Sequence, residues 1–176
     1  ALKHLNALLE LEPDHADARV RAANYCVALG QLDEAISHCD VVLTPEMGML
    51  GTEAPHGTDG GALPNGVVKG PAEVARSAIR QRATDARAEA SYAASHAAKS
   101  RQCSREGRVL EALQSSRIVR QACAACLFGT QLAVEALEAH GRLDEALDEA
   151  RDAASRLPDE PSAALLVARL LARKGR

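Results

Sequence analysis

Aromatic side chains are nearly absent from this chain. Its 176 residues include two Tyr, one Phe and no Trp. The cores of β-sandwiches and β-barrels depend on aromatic and β-branched residues, so this composition argues against both folds. Alanine and leucine must fill the core instead, which favours closely packed helices. We therefore expect an all-α protein, and its length suggests a single domain.

Disulfide pairing and membrane insertion are disfavoured as well. The chain has five cysteines, and an odd number cannot form a complete set of disulfides within one chain. This favours a reducing compartment, and we predict a cytoplasmic location. No apolar stretch approaches the length of a transmembrane helix, and no signal peptide is visible. We therefore expect no membrane partner.

The net charge is −3, but it is unevenly distributed. Residues 1–68 carry 3 basic and 10 acidic side chains, residues 69–120 carry 11 and 5, and residues 121–176 carry 7 and 9. A basic segment is common in nucleic-acid-binding proteins, but this one lacks the interleaved aromatic residues on which bases stack. We expect a solvated helix face there, and no nucleic-acid partner.

What the chain does contain is an internal repeat. Gly107, Gly141 and Gly175 follow one another at intervals of 34 residues (141 − 107 and 175 − 141). Gly141–Ala146 has the sequence GRLDEA, and Gly30–Ala35 has the sequence GQLDEA. Such a period is typical of stacked helical hairpins. The glycine allows the turn between helix A and helix B of each hairpin, and the alanine lets the two helices approach closely.

This pattern resembles the tetratricopeptide repeat (TPR) family, whose unit is a 34-residue helix-turn-helix. The residues that carry the resemblance are Ala23, Val134 and Ala168 at the small eighth place of the unit, and Pro13 and Pro158 at its closing thirty-second place. The match covers Ala1–Leu43 and Ala93–Arg176. It implies a TPR-like solenoid, a right-handed superhelix of helical hairpins whose helices A line a concave, protein-binding surface.

Glycines and prolines bound the predicted helices. These helices are Ala1–Leu11, Ala16–Leu29, Asp33–Leu43, Leu110–Ala122, Leu127–His140, Leu143–Leu157 and Ala163–Lys174, with a long helical segment from Pro71 to Glu106. Three regions follow: TPR-like units at 1–43, a flexible loop at 44–70, and a long helix plus TPR-like units at 71–176. The first and last units lack one helix each, so the natural protein is expected to extend beyond both ends.

Residues 44–70 interrupt the pattern with seven glycines and three prolines. This composition predicts a long flexible loop. Gly30 and Gly107 lie 77 residues apart (107 − 30), which is nine more than two repeat lengths. The loop is therefore either an insertion between units or the replacement of one unit's helix A.

The long segment after the loop has small apolar residues along one face. They are Ala75, Ile79, Ala83, Ala86, Ala90, Ala93 and Ala97. No helix breaker lies between Pro71 and Gly107, which permits a single rod of about 35 residues and about 50 Å. A break around Tyr92 is also open, because the first place of the next repeat falls at Ala93.

Cys123-Ala124-Ala125-Cys126 is the sharpest local motif. Such a pair can supply half of a tetrahedral zinc site, or a redox dithiol. The sequence has no second Cys pair and no His-x-x-x-His, and only His96 and His140 are candidates to complete a zinc site. We therefore predict structural cysteines at a bend between units, and no metal, no cofactor and no catalytic residue. The protein is expected to be non-enzymatic.

The resemblance places the function on the surface of helices A. Its predicted lining is Val20, Arg21, Asn24, Val27, Ala97, Arg101, Gln131, Glu135, Glu138, Leu165 and Arg169. A surface of mixed polarity suits a peptide segment or the helix of a partner subunit, so we expect a protein-protein interaction scaffold. Some TPR proteins hold the C-terminal carboxylate of a chaperone with a Lys/Asn/Arg clamp. Asn24 matches the clamp asparagine, but Val20 replaces its lysine, so that clamp is not expected.

The order of units is also similar to the TPR array of J-domain co-chaperones, in which a long helix links groups of repeats. The segment Gly70–Glu106, and the units that close with Cys123–Cys126 and Ala153–Leu157, carry this resemblance. It implies an alternative function, the binding of unfolded client proteins, in the endoplasmic-reticulum lumen or the cytosol.

Overall fold

The computed structural model describes residues 2–44 and 71–175, and within them it contains eight helices and no strand. The helices are α1 (Leu2–Leu11), α2 (Ala16–Ala28), α3 (Leu32–Leu43), α4 (Pro71–Arg105), α5 (Val109–Ala122), α6 (Phe128–Ala139), α7 (Leu143–Arg156) and α8 (Pro161–Lys174). Each agrees with a helix predicted from the sequence to within a few residues. The predicted flexible loop at 44–70 lies outside the described residues, apart from Thr44.

Helix α4 is a single rod of 35 residues, so the alternative of a break around Tyr92 is wrong. Alanine-rich sequence on both sides of Tyr92 has high helix propensity. The Ser95 hydroxyl donates a hydrogen bond of 2.8 Å to the Tyr92 carbonyl, which occupies that carbonyl without ending the helix. A helix of this length spans about 50 Å.

Three of the predicted turn glycines occupy equivalent corners. Gly30, Gly107 and Gly141 have φ values of 75°, 80° and 71°. This left-handed backbone conformation costs free energy for residues other than glycine. In each corner the next residue donates its backbone N–H to the carbonyl five positions back, over 2.8 to 2.9 Å. This pattern is a helix C-terminal motif that satisfies an otherwise unpaired carbonyl.

Gly175 does not share this geometry. Its φ is −79°, an ordinary right-handed value, so the prediction of a fourth equivalent corner is wrong. Its N–H donates to the Leu171 carbonyl at 3.0 Å, which simply continues the helical pattern.

The first hairpin, α2 and α3, packs against the N-terminal half of α4 through layers of small residues. One layer holds Val20, Val42 and Ala83, and the next holds Ala23, Cys39 and Ala86. A third brings Cys26, Val27 and Ala35 together with Ala90. From the first of these layers to the third, the residue numbers increase along α2 and α4 and decrease along α3. Helix α2 therefore runs parallel to α4, and α3 runs antiparallel to it.

The C-terminal half of α4 packs in the same way against α5 and α6, an antiparallel pair from two successive units that is called the second hairpin below. Cys103 packs with Ala112 and Ala136, and the Ser100 hydroxyl donates to the Ala112 carbonyl at 2.9 Å. The buried residues of α4 form one continuous stripe: Ala83, Ala86, Ala90, Ala93, Ala97, Ser100 and Cys103. Their spacing alternates between three and four until the last step, which is the spacing that keeps small residues on one face.

The two hairpins also meet each other. A Cβ atom placed on Gly30 would lie 2.9 Å from Phe128 Cβ and 3.3 Å from Cys126 Sγ. The α2–α3 turn therefore abuts the bend between α5 and α6. Leu32, at the start of α3, joins the same apolar cluster as Val119, Cys123 and Leu132.

The last unit stacks α7 and α8 on α6. Val134 and Leu137 of α6 contact Ala146, Leu147 and Ala150 of α7, and Leu166 and Leu170 of α8. On the surface of α7, Asp148 pairs with Arg151 at 3.7 Å and Asp152 pairs with Arg156 at 2.9 Å. Glu149 is half-buried and binds Arg120 of α5 at 2.7 Å. None of the eight described helices is long and apolar enough to cross a bilayer.

Replacing Ala146 with Phe should destabilise the C-terminal units. Ala146 is fully buried between α6 and α8, and overpacking of such a site costs about 1–3 kcal/mol or more. Ala88→Phe is the matched control, because Ala88 lies on the exposed side of α4. Urea unfolding followed by circular dichroism measures both variants. Equal midpoints for Ala146→Phe and the unmodified protein would contradict the packing described here.

Two glycine substitutions test the corners. Gly141→Ala should lower the unfolding free energy by about 1 kcal/mol, because a Cβ there meets nothing within 4 Å and only the left-handed backbone opposes it. Gly175→Ala should leave stability unchanged or raise it slightly, since its φ suits alanine. Denaturant unfolding of both variants gives the comparison. Equal effects at the two positions would show that Gly141 is not a left-handed corner.

Candidate protein-binding surface

The predicted surface is built from the helices A, which are α2, α4, α6 and α8. Helix α4 contacts both α2 and α6, so these three helices form a continuous layer. Their partners α3, α5 and α7 each pack on two successive helices A. The exposed sides of α2, α4, α6 and α8 therefore decide what the surface can bind.

Three of the predicted lining residues cannot contribute, and their assignment is wrong. Val20, Val27 and Ala97 are 0%, 5% and 3% exposed. Val20 and Val27 face α4, which runs alongside α2 and covers them. Ala97 lies where the two hairpins meet, in the cluster of Leu32 and Val119. The burial of Val20 also means that no side chain at this position could serve as a clamp cation without disrupting the core.

On α2 the exposed members are Arg21 and Asn24. Arg21 is held by Asp17 one turn earlier, at 2.7 Å. Tyr25, beside them, is 45% exposed and was not predicted. This end of the surface therefore offers an amide, a paired cation and a phenol ring.

The structure brings two predicted residues, Arg101 and Glu135, to the same groove. It has a volume of about 300 Å³ and lies between α4 and α6. Its lining is Ser100, Arg101, Ser104, Arg105, Leu132, Glu135 and Ala136. Ser104 and Arg105 were missed, although Arg101 and Arg105 are four residues apart and therefore project from one helix face. The groove combines two cations, one carboxylate and hydroxyl groups over an apolar floor.

An aromatic ring lies beside one of these arginines. The Arg101 guanidinium lies over the Phe128 ring, 5.7 Å from its centre, which orients the arginine without neutralising it. Elsewhere on α4, nine residues before Arg101, Tyr92 packs edge-on against His96 with ring centres 4.5 Å apart. Tyr92 is 56% exposed. The spacing of Tyr92 and His96, four residues apart on a helix, could have indicated this pair.

Gln131 of α6 is exposed, as predicted, but Glu138 at the other end of that helix has a structural role. Its carboxylate is only 9% exposed and accepts ion pairs from Arg169 at 2.8 Å and Arg173 at 2.6 Å. The three residues join α6 to α8 across the surface of the helices A. Arg169 is therefore already engaged, whereas Leu165 is 69% exposed and open to a partner.

The cysteine motif lies in the bend between α5 and α6, where Cys123 packs in the same cluster as Ala97 and Leu132. Cys123 is fully buried and Cys126 is partly exposed, and neither is in a disulfide. Across residues 2–44 and 71–175, no group of three or more His, Cys, Asp or Glu side chains is placed to hold a metal ion.

Comparison with known proteins identifies the N-terminal part of the chain. Residues 1–44 match the family model described as tetratricopeptide repeat. No curated protein and no solved structure matches the chain significantly. The matched span contains α1, the α2–α3 hairpin and the corner at Gly30, and the same corner recurs at Gly107 and Gly141. Residues 1–44 therefore contain a tetratricopeptide repeat, and the described part of the chain is an all-α, TPR-like solenoid of helical hairpins.

Proposed function

We propose that this protein is a non-enzymatic scaffold that binds an extended peptide segment of a partner protein along its helices A. A tetratricopeptide repeat is itself typical of protein-protein interaction. The finer proposal is that the groove between α4 and α6 holds a carboxylate side chain of the bound peptide. This proposal rests on the position of Arg101 and Arg105, which both line that groove from α4.

These two arginines are available to a ligand. Other arginines of α4 already form ion pairs. Arg82 binds Asp17 at 2.9 Å, and Arg87 binds Asp40 at 2.5 Å. Arg101 and Arg105 form no ion pair with any of the described residues. An arginine that stacks on a ring keeps its N–H groups free to bind a carboxylate in a forked geometry.

The opposite wall restricts which peptides fit. Glu135 repels a second acidic group and accepts a hydrogen bond from a backbone N–H or a basic side chain of the ligand. Leu132 and Ala136 provide apolar floor. The preferred ligand is therefore a segment with one acidic residue, next to apolar or basic residues, in an extended conformation.

The location is proposed to be cytoplasmic. All five cysteines are free thiols, and four of them are buried in helix packing. Buried thiols that contribute to a core remain reduced most simply in a reducing compartment.

Charge reversal in the groove provides the test of the proposed function. A randomised peptide library displayed on phage is selected against the folded chain, and selected peptides are measured by titration calorimetry. Arg101→Glu should weaken binding at least tenfold, which is about 1.4 kcal/mol. Arg117→Glu, an exposed arginine on helix B α5, is the matched control and should change affinity less than about twofold.

The selected peptides themselves give a second readout. An acidic residue at a fixed position supports the proposal, and its replacement by the corresponding amide should reproduce the loss seen with Arg101→Glu. Selection of no peptide, or equal losses from Arg101→Glu and Arg117→Glu, would contradict it.

The alternative function is the capture of unfolded client proteins, as the resemblance to J-domain co-chaperones implies. The observation that favours it is the exposure of large apolar side chains on helices A, with Leu165 at 69% and Tyr92 at 56%. Such a surface should suppress the aggregation of several unrelated unfolded proteins, measured by light scattering. A sequence-selective scaffold should not, and aggregation suppression that survives Arg101→Glu would favour the alternative.

A further inference from the structure

The bend between α5 and α6 contains both cysteines of the Cys-x-x-Cys motif, at the two ends of one turn. The Cys126 N–H donates to the Cys123 carbonyl at 3.2 Å, and Cys126 Sγ lies 3.5 Å from the same oxygen. This backbone hydrogen bond closes a turn that runs from Cys123 to Cys126, and the end Cα atoms of such a turn lie within about 7 Å of each other, close to the separation that a disulfide spans. A Cys-x-x-Cys pair in this arrangement can close without a large movement of the backbone.

The two thiols differ in environment. Cys123 is fully buried in the cluster of Leu32, Val119 and Leu132. Its hydrogen bond with Cys126 and its burial both raise the pKa of the Cys123 thiol far above its ordinary value. Cys123 is therefore a protonated thiol that no reagent in solution reaches directly.

The Cys126 thiol differs from the Cys123 thiol in both its exposure and its pKa. It is partly exposed, and its Sγ accepts a hydrogen bond of 3.4 Å from the backbone N–H of Phe128, the first residue of α6. The hydrogen bond from Cys123, assisted by that N–H, lowers the pKa of Cys126 to about 7. A helix N-terminus favours the thiolate in the same sense.

No other described cysteine has this combination. Cys26, Cys39 and Cys103 are buried between helices, and desolvation raises the pKa of Cys26 to about 11 and raises that of Cys39. A partly exposed thiol with a lowered pKa, three residues from a buried thiol, is typical of a nucleophilic cysteine and its resolving cysteine.

We propose that Cys126 and Cys123 form a thiol-disulfide exchange site that reacts with low-molecular-weight disulfides such as oxidised glutathione. The Cys126 thiolate attacks one sulfur of the disulfide, which forms a mixed disulfide and releases one thiolate. Cys123 then attacks Cys126 Sγ, gives its proton to the second departing thiolate, and closes the Cys123–Cys126 disulfide. The protein dithiol loses two electrons and two protons, and one small disulfide becomes two thiols.

The position of the site links its redox state to the packing of the solenoid. Cys126 Sγ lies 3.3 Å from the Cβ position of Gly30, so it touches the α2–α3 turn. Cys123 belongs to the cluster in which Leu32 of the first hairpin meets the second. Closing the disulfide therefore alters the contact between the two hairpins that sit on α4.

The experiment uses the full chain and glutathione buffers of graded ratio. After acid quenching and alkylation, mass spectrometry should show the loss of two hydrogens, located to Cys123–Cys126 by peptide mapping, and reduced glutathione should reverse it. In the reduced protein, iodoacetamide should modify Cys126 at least about tenfold faster than Cys26 or Cys103 at neutral pH. The rate should rise with pH through a midpoint near the Cys126 pKa of about 7.

Variants separate the two roles. Cys123→Ala should accumulate the mixed disulfide on Cys126, Cys126→Ser should form neither product, and Cys103→Ser, at a buried site elsewhere, should behave as the unmodified protein. Should Cys123→Ala fail to fold, the alkylation profile of the unmodified chain still decides. A folded protein whose Cys126 stays reduced in fully oxidised glutathione, or reacts no faster than Cys26, would overturn the proposal.

Discussion

The structure depends on the close approach of helices along one stripe of small residues on α4. From Ala83 to Cys103, every buried position of that helix is alanine, serine or cysteine. A larger side chain anywhere in the stripe would separate α4 from the hairpins that pack on it. This constraint explains why the chain needs few aromatic residues, because short side chains and small inter-helix distances fill the core.

The same constraint determines which side chains are left for the proposed binding surface. Since α2 and α6 both run parallel to α4, their inner sides are used for packing and only their outer sides remain for a partner. Ion pairs such as Glu138 with Arg169 and Arg173 hold neighbouring helices A together. The groove at Arg101 and Glu135 is where the outer sides of α4 and α6 leave a cleft with uncommitted charges.

Much of the fold was predictable because its determinants are local. The glycine corners and the helix boundaries follow from single residues, and Gly30, Gly107 and Gly141 behave alike for that reason. Gly175 is the exception, since its φ of −79° is an ordinary right-handed value.

The surface was harder to predict because it depends on non-local packing. The repeat places Val20 and Val27 on helix A, but only the position of α4 shows that they are covered. Glu138 could be placed on a helix face from the sequence, whereas its two arginine partners come from the next unit. Likewise, the spacing of Cys123 and Cys126 is evident from the sequence, but their unequal burial follows only from the structure of the bend.

The continuity of α4 is the central structural claim, since both hairpins are positioned by one rod. Spin labels carried by non-natural amino acids at the exposed positions Ser77 and Gln102 avoid the five native thiols. The positions are 25 residues apart (102 − 77), which corresponds to about 38 Å along an unbroken helix. Electron-electron double resonance should give one narrow distribution near that separation. A broad or markedly shorter distribution would show that the helix breaks near Tyr92, and would contradict the account.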